Sequence, residues 1–552
     1  MERRTSIALH CACLYGRIEE VKYLINDPAR INAIDENGWT PFMFACQEGH
    51  LVIAQMLVYE NCSVHIKSKI GWTALHIASF NGQTAICEYL IDHCGVNVNE
   101  QDEKGSTSLM KACDRGYLDT VQLLGSKKCD FNIRNQDGCA ALHFASCNGH
   151  TAICKYLIDR CGVDVNEEEN IDGMTPLMGA CGHGHLSTVK LLVSKNCNFN
   201  AKNKNGWTAL HCASSFGQTA ICEFLIDRCR VDVDEQDNKG STSLMKACDR
   251  GYLDTVQLLG SKKCDFNIRN QDGCAALHFA SCNGHTAICE YLIDQQYGVD
   301  VNEDENIDGM TPLMGACGHG HLSTVELLVS KKCNFNAKNK NGWTALHCAS
   351  SFGQTAICEF LIDRCRVDVD EQDNNASTSL MMACERGHLS TVQLLASKNC
   401  DFHIKNKFGK TALYLACSYS QIDVADFLIR RNLTYAQQHS EFLLALRNCR
   451  FSIAEELKSI EFFNKMTVIH DVLSGIRQIR KDCFSEPQTL LLFLACGASA
   501  SAKNEYDKLP YECASGESRH ILKCAWLESQ YAELSVMGYS SPSRIKAHLP
   551  DA

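Results

Sequence analysis

A tetrad of the form Thr-x-Leu-His, or a near variant of it, recurs at Ile7, Thr40, Thr73, Thr107, Ala140, Thr175, Thr208, Thr242, Ala275, Thr311, Thr344, Thr378 and Thr411. The intervals are 33, 33, 34, 33, 35, 33, 34, 33, 36, 33, 34 and 33 residues. A period this regular restricts the fold to a stack of small units, none able to bury its own apolar face without neighbours. Each unit carries Gly-x-Thr-x-Leu, then an Ala, a Gly, an apolar stripe ending in Leu-Leu or Leu-Ile, and a polar loop. Thr208 stands where a helix starts, and its hydroxyl can cap an orphan amide. Pro41, Pro176 and Pro312 fall in a first helical turn, where a missing N–H costs nothing. Gly82, Gly149, Gly217, Gly284 and Gly353 end that helix, at a position that favours positive φ. Ala220 to Ile226 then shows apolar residues at helical spacing, which predicts a second, antiparallel helix. At 552 residues the chain is too long for one compact core. The predicted fold is all-α: a solenoid of stacked antiparallel helix pairs.

A longer period lies above the first. Residues 105–159 and 240–294 differ only at Lys155 versus Glu290, and the likeness continues to Asp237 and Asp373. The block 105–238 is therefore read as duplicated in 240–374. The expected organisation is a thirteen-repeat array over 1–431, followed by degenerate repeats and a cap over 432–552. In that tail Ser440 to Ala445, Thr467 to His470, and Leu509 to Ala514 look like decayed units.

The unit resembles the ankyrin repeat, whose pattern is Thr-Pro-Leu-His-x-Ala-Ala-x-x-Gly-His. The match is closest at Thr175-Pro176-Leu177-Met178 with Gly184-His185, and at Thr208-Ala209-Leu210-His211. The resemblance implies β-hairpin-like loops along one edge of the array. It also implies partner contacts at the hairpin tips and first helices, chiefly at the residue between Gly and Thr.

Trp39, Trp72, Trp207 and Trp343 occupy that slot, as do Met174 and Met310 and the smaller Cys139 and Cys274. Phe80, Phe216 and Phe352 lie at the variable end of the first helix. Tryptophan is enriched at binding hot spots, so these residues are candidate contacts; the competing reading has the rings packed on the neighbouring hairpin. The loops alternate in charge. Glu100 to Glu103, Glu167 to Glu169, Asp232 to Asp237, Glu303 to Glu305 and Asp368 to Asp373 are acidic. Between them stand Lys127, Lys128 and Arg134, then Lys202 and Lys204, Lys262, Lys263 and Arg269, Lys338 and Lys340, and Lys405 and Lys407. Arg134, Lys204 and Lys340 are the basic candidates for partner contact; solubilising links between adjacent loops explain the pattern equally well. The family resemblance further implies hydroxylation at Asn132 (with Asp130 and Leu124) and at Asn267 (with Asp265 and Leu259).

Thirty-five cysteines would suggest disulfides in a small exported domain, but the chain opens without a secretory h-region. They recur at repeat-equivalent places such as Cys46, Cys113, Cys181, Cys248, Cys317, Cys384 and Cys417, where a small apolar thiol suits a close helix contact. Reduced, buried thiols are expected. Cys139, His143, Cys147, His150 and Cys154 have metal-like spacing. In the next unit of that type they become Trp207, His211, Ser215, Gln218 and Cys222, which a required ligand set would not do. Gly182-His183-Gly184-His185 is read as a variable position plus a framework histidine, since i and i+2 side chains on a helix do not face each other. Phosphate-loop and nucleophile-elbow motifs are absent.

No catalytic residue, cofactor or metal is therefore predicted. A net charge of −12 and a pI near 6.0 argue against a nucleic-acid partner, and the longest apolar run, Leu490 to Cys496, is too short to span a bilayer. The expectation is a monomeric, cytoplasmic scaffold or adaptor for one or more proteins, with the nucleus left open. The alternative is a substrate receptor of a ligase- or kinase-type complex docked through 432–552.

Overall fold

Each tetrad threonine begins a helix in the computed structural model, which describes residues 2–25, 28–167, 171–294, 299–302, 308–419 and 421–432. Oγ1 of Thr40, Thr175 and Thr311 each accepts the amide three residues on at 3.3 Å. Where alanine replaces threonine the cap is supplied from the other side. The Ala140 and Ala275 amides donate to Nδ1 of His143 and His278 at 3.2 Å. Pro41, Pro176 and Pro312 open their helices as the sequence implies. Glycines end them with positive φ: Gly49 caps Pro41–Glu48 at φ 79°, and a Cβ there would collide with the Gln83 amide of the next repeat.

The chain divides into two compact units. Among the described residues the first, Met1–Asp300 with Glu305–Ile307, holds nine helix pairs, from Glu2–Leu14 with Ile18–Leu24 to Ala276–Cys282 with Thr286–Asp294. The second, Val301–Asp304 with Asp308–Ala552, holds four, from Pro312–His319 with Leu322–Ser330 to Ala412–Ser418 with Ile422–Asn432. No strand occurs among the described residues, only isolated antiparallel bridges such as Gln101 with Thr107 and Gln236 with Thr242. The expected tail lies outside the described residues beyond Asn432.

Within each unit the first helices pack on one another, Ala74–Phe80 against Ser108–Arg115 for instance, and the second helices form a second layer. Leu75, Ala78, Leu109, Ala112 and Cys113 fill the seam between layers in the first unit. Hydrogen bonds then stitch repeat to repeat. The Lys69 amide donates to Asn37 O at 2.9 Å, Lys204 to Asp172 O at 2.9 Å and Asn374 to Asn341 O at 2.9 Å, joining successive loops along one edge. His76 Nε2 donates to Ser106 O at 3.0 Å while its Nδ1 accepts the Thr73 amide at 3.2 Å. His143 bonds Glu167 O at 3.0 Å in the same way, and His211 bonds Ser241 O at 3.1 Å.

One loop breaks the glycine rule. Ala376 sits at φ 56° where the equivalent Gly105 and Gly240 both have φ 76°. A Cβ in the left-handed region costs about 1–2 kcal/mol. Replacing Ala376 with Gly should therefore raise the stability of the second unit by about 1 kcal/mol after the larger entropy of unfolded glycine is deducted. Equilibrium urea unfolding of the two proteins checks this; a lower midpoint for Ala376→Gly would contradict it.

Candidate functional site

The residues between Gly and Thr stand on the loop edge where each repeat meets the next, and the tryptophans there are half-buried. Trp72 shows why. Its indole Nε1 donates to Asp102 Oδ2 at 3.1 Å, its ring lies 5.1 Å from that of Phe80, and Lys111 Nζ stands 5.0 Å above it. The same ammonium bonds Asp102 Oδ2 at 2.8 Å, with the carboxylate side chain only 2% exposed. Trp207 repeats this: Lys246 Nζ lies 4.9 Å over the ring and 2.8 Å from Asp237 Oδ2. Burial pushes the pKa of Asp102 and Asp237 up, but the lysine ammonium and the Ser106 or Ser241 amide outweigh it and hold both below the ordinary carboxylate value. A tryptophan, an aspartate and a lysine from two consecutive repeats thus form one cluster, which sequence inspection of single units misses.

The remaining candidates fall in several environments. Trp39 is half-buried against Phe44, ring centroids 5.2 Å apart. Met174 and Met310 are half-buried, and their thioethers accept from Asn203 and Asn339 Nδ2 at 3.2 Å. Phe80 is half-buried beneath Arg115, whose Cζ is 4.8 Å from the ring. Phe216 and Phe352 are instead 56% and 53% exposed at the ends of their first helices, with Arg386 Cζ 5.6 Å over Phe352. The side chains of Lys204 and Lys340 are exposed at the loop edge. Asn132 and Asn267 are exposed loop residues whose amides donate to Asp130 and Asp265 Oδ1 at 2.9 Å.

Charged loops pair with their neighbours in a two-repeat rhythm. Lys67 bonds Glu100, Arg134 bonds Glu167 at 2.8 Å, Lys202 bonds Glu235, and Lys338 bonds Glu371 at 2.5 Å. Arg134 thus faces its own chain as well as the loop edge. A second series follows the same rhythm on the second helices, with Lys127 on Asp92 at 2.6 Å and Lys262 on Asp227 at 2.7 Å. Glu168, Glu169 and Glu303 to Glu305 lie outside the described residues.

Residues with metal-like spacing are dispersed among framework contacts. His150 Nε2 meets Asp114 O at 3.1 Å, and Cys154 Sγ is 3.5 Å from Ser146 Oγ. Among the described residues no group of three or more His, Cys, Asp and Glu side chains is arranged to hold a metal ion. The cysteines there are free thiols, and burial pushes Cys154 and Cys222 up to about 11 and Cys113 and Cys248 further. His183 and His185 do face each other, rings nearly parallel with centroids 6.4 Å apart, as do His319 and His321. The helical argument against such a pair does not apply, because Gly184 and Gly320, at φ 85° and 87°, turn the chain between the rings.

Comparison with known proteins agrees with this architecture. The family model described as Ankyrin repeats (3 copies) matches in eight overlapping stretches running from residue 2 to residue 442. The chain belongs to the ankyrin-repeat family. Among its relatives are human Transient receptor potential cation channel subfamily A member 1, 30% identical over 76% of this chain, and Ankyrin repeat and KH domain-containing protein mask-1 of Caenorhabditis elegans, 29% identical over 71%. NAD-dependent deacetylase sir2B of Dictyostelium discoideum is 23% identical over 73% of the chain. The chain spans 36%, 15% and 44% of the lengths of these three relatives. Ankyrin repeats are protein-interaction modules as a family, and among the described residues no helix is long and apolar enough to cross a membrane.

Proposed function

We propose that this ankyrin-repeat array is a non-enzymatic adaptor that binds protein partners along its first-helix layer and loop edge. The observation that carries the reading is the exposure of Phe216 and Phe352, at equivalent places on Ala209–Ser215 and Ala345–Ser351. The framework histidines of these helices, His211 and His347, are committed to the backbone of the next repeat. What remains at the surface is large apolar area, flanked at Phe352 by Arg386, the chemistry of a binding hot spot. Binding here needs no bond-making group, and the array's length suits an extended or multivalent ligand, in which each weak contact raises the effective concentration at the next.

The test is quantitative capture of partners on the full chain and on Phe216→Ala/Phe352→Ala. Loss of the captured proteins with an unchanged melting temperature supports the adaptor reading. Retention of every partner by the double variant would sink it. The compartment expected for such an adaptor is the cytoplasm.

A further inference from the structure

Of the tryptophan, aspartate and lysine that make up the cluster, one residue changes in the third copy. Trp72 and Trp207 each share their buried aspartate with a lysine of the following repeat, Lys111 or Lys246. The third copy keeps Trp343 and Asp373, but the lysine position is Met382. The loop-to-loop hydrogen bonds are kept, although Ala376 at φ 56° stands where the sister loops have glycine at φ 76°. Asn374 N bonds Asn341 O at 2.9 Å, and His347 Nε2 donates to Ser377 O at 3.2 Å, so the Asp373 loop is held against the Trp343 loop as in the other copies. Asp373 Oδ1 accepts the Asn375 and Ser377 amides at 2.7 and 2.8 Å. Among the described residues no ammonium or guanidinium forms an ion pair with Asp373, which is 8% exposed.

From this we infer that Trp343 and Asp373 form a subsite for a lysine ammonium supplied by a protein partner, the place filled in the two sister copies by the chain's own lysine. Lys111 and Lys246 show what the cradle accepts: a primary ammonium about 5 Å over the ring, donating to the aspartate. A buried carboxylate without a cation gains strongly from one, and the ring adds a cation–π attraction. Met382, itself only 9% exposed, takes the lysine position without neutralising Asp373, so that gain is left to an ammonium that displaces its thioether. The acidic balance of the chain, −12 overall, favours a basic segment as the occupant. This inference rests on the adaptor reading for its biological occupant, while its chemistry is testable alone.

The experiment uses the full chain labelled with ¹⁵N at the tryptophan indoles, titrated with the peptide acetyl-Gly-Ser-Lys-Ser-Gly-amide. The Trp343 resonance, assigned with Trp343→Phe, should shift saturably while those of Trp72 and Trp207 stay in place. The same peptide with norleucine for lysine should leave all three unmoved. Asp373→Asn and, separately, Met382→Lys should each weaken the lysine peptide at least tenfold. Equal shifts from the norleucine peptide, a Trp207 shift as large as that of Trp343, no shift at all, or an unaltered titration in Asp373→Asn would overturn the assignment. No partner enters the titration. Lysine-peptide binding without captured partners therefore sinks only the adaptor reading, and capture without peptide binding sinks only the subsite.

Discussion

Acidification from pH 7.5 to 4.5 should lower the melting temperature of the chain steeply, with most of the loss below pH 6.5. Burial pushes His76 and His143 from the ordinary 6.5 down to about 4, and lowers His211 and His347 as well. In each pair of contacts one ring nitrogen donates to a carbonyl and the other accepts an amide, so the neutral imidazole is the form that fits. Above pH 6.5 both folded and unfolded imidazoles are neutral and the stabilisation is complete. As pH falls towards 4 the unfolded chain binds protons that the folded chain refuses, and stability drops; below about 4 both forms are protonated and this loss stops. The drop from 6.5 to about 4 corresponds to roughly 3 kcal/mol for each of His76 and His143. Burial raises Glu167, Asp234 and Asp370, which opposes the trend, since these carboxylates take up protons more readily in the folded chain. The histidines outweigh them because they are more deeply buried. Calorimetry at pH 7.5, 6.0, 5.0 and 4.5 checks the slope. A melting temperature constant over that range would contradict the histidine framework, and His76→Gln should remove a measurable part of the dependence.

Exchanging residues between sister clusters should move stability in opposite directions. Lys246→Met leaves Asp237, whose side chain is 1% exposed, without its cation, and should cost about 2–3 kcal/mol in the first unit. Met382→Lys supplies the missing ammonium to Asp373 and should stabilise the second unit by about 1–2 kcal/mol, the lysine stem lying along the Trp343 face. The lysine position in the sister clusters is 15–17% exposed, so solvent screening trims the gain. Urea unfolding followed by far-UV circular dichroism reads both. Stabilisation by Lys246→Met, or destabilisation by Met382→Lys, would show that the tryptophan–aspartate clusters are not governed by charge pairing.

The repeat, its helix boundaries and its turn glycines were legible in the sequence because each depends on residues within one unit. Thr175 and Thr208 cap where capping chemistry requires, and Gly82 and Gly149 take the positive φ that ends a helix. What was not legible depends on contacts about one repeat apart. Lys111 carries no signal in isolation; its meaning comes from Trp72 and Asp102 in preceding segments. The signal that could have revealed it was the change from Lys246 to Met382 between copies that keep Trp207 and Asp237 as Trp343 and Asp373. The alternating loops likewise read as two open possibilities until Lys202–Glu235 and Lys338–Glu371 showed that neighbouring loops pair with each other. That pairing accounts for much of the alternation by the chain's own contacts; Lys204 and Lys340 are exposed at the edge.

Partners should dock on the first-helix layer and not on the second. Site-specific photo-crosslinking in the full chain reads this directly, with a photoreactive amino acid replacing Phe352 on one side and the exposed Glu359 of Thr355–Cys365 on the other. Position 352 should give a defined set of protein adducts, competed by unlabelled full chain, and position 359 background alone. Equal adducts from both positions, or adducts only from 359, would contradict it.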